Sequence, residues 1–212
     1  MKHLILVICS ALALSAGSIN LLSGVSAGEW NNSGTNMLVA ANPGWAVDPS
    51  AQWISFENTG WGGMVVPNTD LSTPTAVFYQ NISMADGTGI TGSIHVWADD
   101  TATVKLDGVV LFAASPLLAA ICTPGPIGCT QADGESISFS APGLNHTLEF
   151  DIYQRGLGTF GLMYDGVAQS TGSAVPEPAA VSIVGAGLAA LGLLGTPYFT
   201  LRKCRRYLAK SR

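Results

Sequence analysis

Charged residues are scarce in this chain, and positive charge is scarcest in its central part. Only 11% of the 212 residues are charged, against about 25% in an average soluble domain. Between residues 28 and 173, thirteen acidic residues face two basic ones, Lys105 and Arg155, for a formal net charge of −11. Disordered chains need a high charge content, and nucleic-acid binders need positive charge. The composition therefore excludes an intrinsically disordered chain and a basic nucleic-acid-binding protein.

The chain also lacks the short motifs of several enzyme classes. It has no Gly-x-Ser-x-Gly, no His-Glu-x-x-His, no phosphate-binding loop and no EF-hand spacing. Residues 185–190 imitate a dinucleotide-binding turn, but the required acidic residue about 20 positions later is missing. We predict no catalytic residue, no cofactor and no metal. A glycosidase with two carboxylates stays open as an alternative, because its acids need not be close in sequence.

The first residues are typical of a secretory signal peptide. Lys2 provides a positive start, and residues 4–16 form an uncharged apolar run that is short for a membrane span. Val25-Ser26-Ala27 then supplies the small residues that signal peptidase accepts. We therefore predict an exported protein whose signal peptide, residues 1–27, is removed by signal peptidase after Ala27.

A second addressing segment is predicted at residues 175–212, after a small polar linker at 170–174. It starts with the motif Pro176, Glu177 and Pro178, followed by 23 uncharged residues, 179–201. As a helix this run measures about 34 Å, enough to cross a bilayer core. Residues 202–212 carry six positive charges, which predicts a cytoplasmic tail and a membrane helix with the central region outside.

This order of motif, apolar run and basic tail resembles the PEP-CTERM sorting signal, although Pro197 and the long tail depart from the usual pattern. The resemblance implies a Gram-negative host that makes extracellular polysaccharide. It also implies processing near the motif by an exosortase. Such a protein is anchored transiently in the inner membrane and then lies at the cell surface or outside the cell. The alternative is an ordinary anchor, which would make the protein a permanently membrane-anchored spacer.

Residues 28–169 are predicted to form one small all-β domain. Apolar and polar residues alternate with a period of two, which indicates strands with one buried face. Predicted strands cover 52–57, 75–82, 92–97, 101–106, 109–112, 136–140 and 147–153. Asp107-Gly108 and Asp165-Gly166 each predict a type I′ turn between strands. Many strands with short turns favour a β-sandwich of the jelly-roll kind.

Three stretches of this domain resemble galactose-binding-like jelly rolls. They are 93–108, which contains Asp99-Asp100 and Asp107-Gly108, then 142–150, and the closing segment 160–166. The resemblance implies a jelly-roll β-sandwich. Domains of this fold serve as carbohydrate-binding modules, adhesion units and spacers, so the resemblance does not select among these functions.

Cys122 and Cys129 are the two cysteines of the predicted domain. An exported domain meets oxidising conditions, so we predict a disulfide between them. The alternative, a metal site, requires two further ligands, and no histidine lies near these cysteines in the sequence.

Trp61, Asp99 and Asp100 are the candidate ligand-binding residues. Carboxylates bind hard cations or sugar hydroxyls, whereas the simpler interpretation of Asp99-Asp100 is a polar loop after a strand. Trp61 lies in the glycine-rich segment 58–63, where an exposed indole can stack on a sugar ring, although burial in the core is favoured for a small sandwich.

We predict a non-enzymatic surface or matrix protein with extracellular polysaccharide as candidate partner. A secreted glycan hydrolase or lyase is the alternative.

Overall fold

The computed structural model describes residues 17–115 and 127–172, and this part of the chain consists of strands and loops without a helix. Segments 1–16, 116–126 and 173–212 lie outside the described residues. The predicted sorting motif Pro176-Glu177-Pro178, the predicted membrane helix 179–201 and the basic tail 202–212 fall there. Within the described ranges, no helix is long and apolar enough to span a membrane.

Eleven strands form in the described part of the chain, and most of the predicted strands are among them. The strands are β1 (Ser18–Leu22), β2 (Glu29–Asn31), β3 (Met37–Leu38), β4 (Ile54–Ser55), β5 (Ala76–Ser83), β6 (Gly89–Asp99), β7 (Thr101–Leu106), β8 (Val109–Phe112), β9 (Glu135–Pro142), β10 (Asn145–Tyr153) and β11 (Gly161–Thr171). The predictions for β5 to β10 are confirmed within three residues. The strand predicted over 52–57 is reduced to the two residues of β4.

The strands form two antiparallel sheets. The first sheet has the order β3-β4-β11-β6-β9, and β1 also pairs with β11. The second sheet has the order β2-β5-β10-β7-β8. Every strand pair is antiparallel. The predicted all-β architecture is confirmed.

The hydrophobic core lies between the two sheets. On β10 the alternate residues Leu148, Phe150 and Ile152 are fully buried, as their period of two predicts. The ring of Phe150 stacks on that of Tyr164 in the other sheet, with ring centroids 4.7 Å apart. Burying one such side chain stabilises the fold by about 1.5–3 kcal/mol. The inward faces of both sheets therefore share one core, which makes the domain a β-sandwich.

Strand β1 does not agree with the predicted boundary at Ala27. It pairs with β11 over five residues, and its Leu21 is fully buried in the core. Just after it, the hydroxyl of Ser23 donates to the carbonyl of Gln52 at 2.7 Å. A cleavage after Ala27 would remove all of these contacts. The described sandwich therefore includes residues before Gly28, while cleavage after Ala27 stays a prediction; a cut that preserves β1 would lie N-terminal to Ser18.

The hairpin predicted at Asp165-Gly166 is wrong, because both residues lie inside the continuous strand β11. A Cβ atom on Gly166 would lie 2.4 Å from the carbonyl oxygen of Ser93. The glycine therefore permits close approach to β6 rather than a turn. At its far end β11 continues to Thr171, so the first residues of the predicted 170–174 linker belong to the sheet.

The turn predicted at Asp107-Gly108 is confirmed. The two residues have φ angles of 51° and 80°, the left-handed values that a type I′ turn requires at both central positions. The Asp107 carboxylate also accepts a hydrogen bond from the backbone N–H of Thr147 at 2.9 Å. This bond joins the β7–β8 hairpin to β10.

Candidate functional site

A cleft of about 880 Å³ opens where five connections meet. They are the β3–β4 loop, the β4–β5 loop, the junction between β6 and β7, the β8–β9 connection and the β10–β11 loop. Strand pairing brings these ends together, because Tyr153 of β10 pairs with Thr101 of β7 and Gly161 of β11 pairs with Asp99 of β6. All three candidate ligand-binding residues, Trp61, Asp99 and Asp100, line this cleft.

Trp61 lies on a tight glycine turn at the rim. Its backbone N–H donates to the carbonyl of Ala40 at 2.8 Å, and a Cβ atom on Gly60 would lie 2.3 Å from that same oxygen. Only glycine fits at this position without a shift of the backbone, and the turn holds the indole outward. Trp61 is 58% exposed, so the burial favoured from the sequence is wrong and the exposed alternative is correct.

The rest of the rim is also apolar. Met64, Val65 and Leu157 line the cleft with large exposed surfaces. Leu157 is 61% exposed and has a φ angle of 54°, a conformation that costs a residue with a Cβ atom about 1–2 kcal/mol. The fold thus holds Leu157 in a strained backbone conformation, with its side chain exposed to water beside the cleft.

Asp99 lies at the floor and is only 5% exposed. Its Oδ2 accepts hydrogen bonds from the indole N–H of Trp45 at 3.0 Å and from the hydroxyl of Thr159 at 2.8 Å. Burial, followed by a hydrogen bond to Asp100 and the charge of that neighbour, raises the pKa of Asp99 to about 8, against the lowering effect of Thr159 and Trp45. At neutral pH most Asp99 side chains are therefore protonated.

Asp100 holds the β10–β11 loop in place. Its Oδ2 accepts hydrogen bonds from the backbone N–H groups of Arg155 at 2.6 Å and Gly156 at 2.5 Å. The peptide bond between Asp99 and Asp100 is cis, and Asp100 is only 2% exposed. Asp99 ends β6 and Asp100 follows it, as the interpretation of a polar segment after a strand expects, and both residues are buried at the floor.

Gln154 completes the floor and is not among the residues predicted from the sequence. The side chain is only 1% exposed, it lines the cleft, and its Oε1 has no hydrogen-bond partner among the described residues. A buried acceptor without a partner is costly and rare in folded proteins. In the sequence Gln154 is simply the residue after a strand, so no local pattern could have identified it.

The ionisable side chains that line the cleft are both aspartates. Among the described residues that line it, Asp99 and Asp100 are the only ionisable ones. The described ranges contain no group of three or more His, Cys, Asp or Glu arranged to hold a metal ion.

Cys129 is fully buried against a second hydrophobic cluster that includes Trp45, Trp53 and Trp97. This cluster lies behind the floor of the cleft, since Trp45 belongs to both. Cys122 lies outside the described residues, and the Cys122–Cys129 disulfide stays a prediction.

Replacing Asp99 with asparagine is expected to change how stability depends on pH. Because the folded pKa of Asp99 is about 8, against 3.8 as its ordinary value, its favourable contribution is complete below about pH 4. That contribution is lost as the pH rises towards 8, at about 1.4 kcal/mol per pH unit. In Asp99→Asn the amide can still donate to Asp100 and accept from Trp45, but it does not titrate.

Urea unfolding of both proteins at several pH values measures this effect. The free energy of unfolding of the variant minus that of the wild type should increase steadily between about pH 5 and pH 7. A difference that stays constant over this range would contradict the raised pKa of Asp99.

Comparison with known proteins yields similarity of fold only. The chain matches no family model and no curated protein. A family 35 carbohydrate binding module from Clostridium thermocellum has 11% identity and a TM-score of 0.39, covering 72% of this chain and 98% of that one. The K1 cleaved adhesin domain of Lys-gingipain from Porphyromonas gingivalis has 14% identity and a TM-score of 0.42, covering 74% and 99%.

Proposed function

We propose that the domain binds carbohydrate in the cleft between Trp61 and the Asp99–Asp100 floor. A sugar ring has an apolar face of C–H groups and an edge of hydroxyl groups. The cleft has the matching arrangement, with apolar side chains at its rim and buried oxygen acceptors below. The observation that carries the proposal is Trp61, an indole held 58% exposed by a glycine turn directly beside polar groups.

The burial of the floor supports binding rather than hydrolysis. Glycosidases place their two carboxyl groups about 5–5.5 Å or 6.5–9.5 Å apart, on either side of the scissile bond. In this cleft Asp99 and Asp100 are neighbours in the chain and are 5% and 2% exposed, and Asp100 already accepts hydrogen bonds from two backbone N–H groups, so the pair does not flank a space for a sugar linkage. We therefore propose a non-enzymatic module and keep a secreted glycan hydrolase or lyase as the less favoured alternative.

The protein is proposed to act outside the cell. The resemblance of residues 175–212 to the PEP-CTERM signal supports export, transient anchoring in the inner membrane through residues 179–201, and release or re-anchoring by an exosortase. Extracellular polysaccharide is then the polymer that the cleft would meet, in a surface or matrix role linked to biofilm. The strongly acidic central region makes polyanionic partners unfavourable.

A panel of oligosaccharides tests the proposed binding. The purified protein is titrated with neutral, acidic and amino-sugar oligosaccharides by calorimetry, and at least one class is expected to bind with a dissociation constant of about 1 mM or lower. If no member of the panel binds at millimolar concentration, the proposed function is wrong.

Replacing Leu157 with glycine is expected to separate binding from stability. Glycine adopts positive φ without strain, and the gain of about 1–2 kcal/mol is offset by the greater freedom of glycine in the unfolded chain. We therefore expect the free energy of unfolding to change by less than about 1 kcal/mol. Loss of the apolar contact should weaken oligosaccharide binding about fivefold. Calorimetry and urea unfolding measure both quantities, and unchanged affinity would contradict a role for the rim.

A further inference from the structure

Within residues 17–115 and 127–172, the acid pair at the floor of the cleft has no basic partner. Neither Asp99 nor Asp100 forms an ion pair there, and no basic residue lines the cleft. The nearest basic residue in sequence, Arg155, donates from Nη1 to the carbonyl of Thr69 at 3.0 Å, and its side chain acts electrostatically on Asp70. A buried negative charge without a cation is costly, so the cleft favours a positively charged group brought by a ligand.

Gln154 provides a second and independent indication. Its Oε1 is a buried acceptor that no donor satisfies in the described part of the chain, and it lines the same cleft as the acid pair. A hydroxyl group of a neutral sugar brings one donor and also an acceptor. A protonated amine brings three donors and no acceptor, which is the better match for a floor made of acceptors.

The indole of Trp61 and the negative charge of the domain also favour a ligand with a protonated amine. An ammonium group near the face of an exposed indole such as that of Trp61 gains a cation–π attraction. At longer range, the net charge of −11 between residues 28 and 173 attracts a cationic polymer and repels an anionic one.

We infer that the cleft selects sugars with a free, protonated amino group over their N-acetylated and hydroxyl counterparts. The ligand class would be polysaccharide with unacetylated 2-amino-2-deoxy sugar units. This selectivity rests on the proposed carbohydrate binding and adds to it the chemical group that the floor recognises.

Three matched tetrasaccharides test the selectivity. The purified protein is titrated at about pH 6 with a β-1,4-linked glucosamine tetramer, its fully N-acetylated counterpart and the corresponding glucose tetramer. We expect the glucosamine tetramer to bind at least about tenfold more tightly than either of the others. If the acetylated or glucose tetramer binds equally well or better, the selectivity is wrong but carbohydrate binding stands. If no tetramer binds, the selectivity is wrong. The titrations with the oligosaccharide panel then decide whether the domain binds carbohydrate.

A double variant without the two carboxyl groups tests whether the floor causes the preference for glucosamine. In the double variant Asp99→Asn/Asp100→Asn the preference should fall to within about twofold. The control Glu57→Gln/Asp70→Asn makes the same two carboxyl-to-amide replacements at exposed positions outside the cleft, and it should keep the preference. A preference that survives in the folded double variant, or disappears in the control, would overturn the inference.

Salt dependence of the wild-type protein gives a test that does not depend on the double variant folding. Between about 20 mM and 300 mM NaCl, affinity for the glucosamine tetramer should fall several-fold, because salt screens charge–charge attraction. The affinity of any neutral tetramer that binds should stay within about twofold. Glucosamine binding that does not depend on salt would contradict recognition by charge.

Discussion

A chain that begins at Gly28 is expected to be less stable than one that begins at Gly17 by roughly 4 kcal/mol or more. The shorter chain lacks β1, and with it the fully buried side chain of Leu21. It also loses Ser23, whose hydroxyl accepts from the backbone N–H of Tyr164 at 3.0 Å and whose carbonyl accepts from that of Gln52 at 2.9 Å. Domains of this size have only about 5–15 kcal/mol of total stability.

Urea unfolding of two chains that differ only in their first residue measures this loss. Leu21→Ala in the longer chain serves as the partial control, and a loss of about 2–4 kcal/mol is expected from the cavity alone. Equal stability of the two chains would mean that β1 contributes nothing and would favour the boundary at Ala27. If the protein is exported as proposed, the N-terminal residue of its mature form should lie at or before Ser18.

Replacing Trp61 with alanine is expected to weaken oligosaccharide binding about thirtyfold and to leave the fold intact. The exposed indole makes few contacts within the domain, so the free energy of unfolding should change by less than about 0.5 kcal/mol. On binding, a sugar ring that covers the indole removes apolar surface worth about 2 kcal/mol from water. Trp61→Phe, which keeps an aromatic face, should recover part of the lost affinity.

Val110→Ala is the matched control for Trp61→Ala. Val110 is an exposed apolar residue of β8, and it does not line the cleft. Its replacement should leave affinity within about twofold. If both variants bind like the wild type, the apolar rim is not the binding surface.

Patterns within a single strand could be predicted from the sequence. The alternation from Thr147 to Tyr153 identifies β10 because one face of this strand is buried and the other is not. The Asp107-Gly108 turn was also predictable, since a type I′ turn needs positive φ at both positions.

Features that depend on two distant segments could not be predicted. Asp165-Gly166 has the same local signal as a turn, and only the approach of Ser93 on β6 explains why this glycine lies within a strand. Strand β1 begins two residues after the apolar run of the predicted signal peptide, and no local pattern assigns it to the domain.

The candidate site was only partly predictable, for the same reason. Trp61 and Asp99 were identified from residue type and loop composition, yet their exposure and burial depend on the fold. Gln154 acquires its role only because β10 ends beside the junction of β6 and β7, a contact between residues more than fifty positions apart.

The side-chain N–H signals of the tryptophans test the central claim most directly. The chain has five tryptophans, each of which gives one indole N–H resonance. Trp61 and Trp45 line the cleft, whereas Trp30 stacks on Tyr79 in the second sheet. At saturating oligosaccharide, the signals of Trp61 and Trp45 should shift and that of Trp30 should not. Binding that shifts Trp30 and leaves Trp61 unchanged would contradict carbohydrate recognition in this cleft.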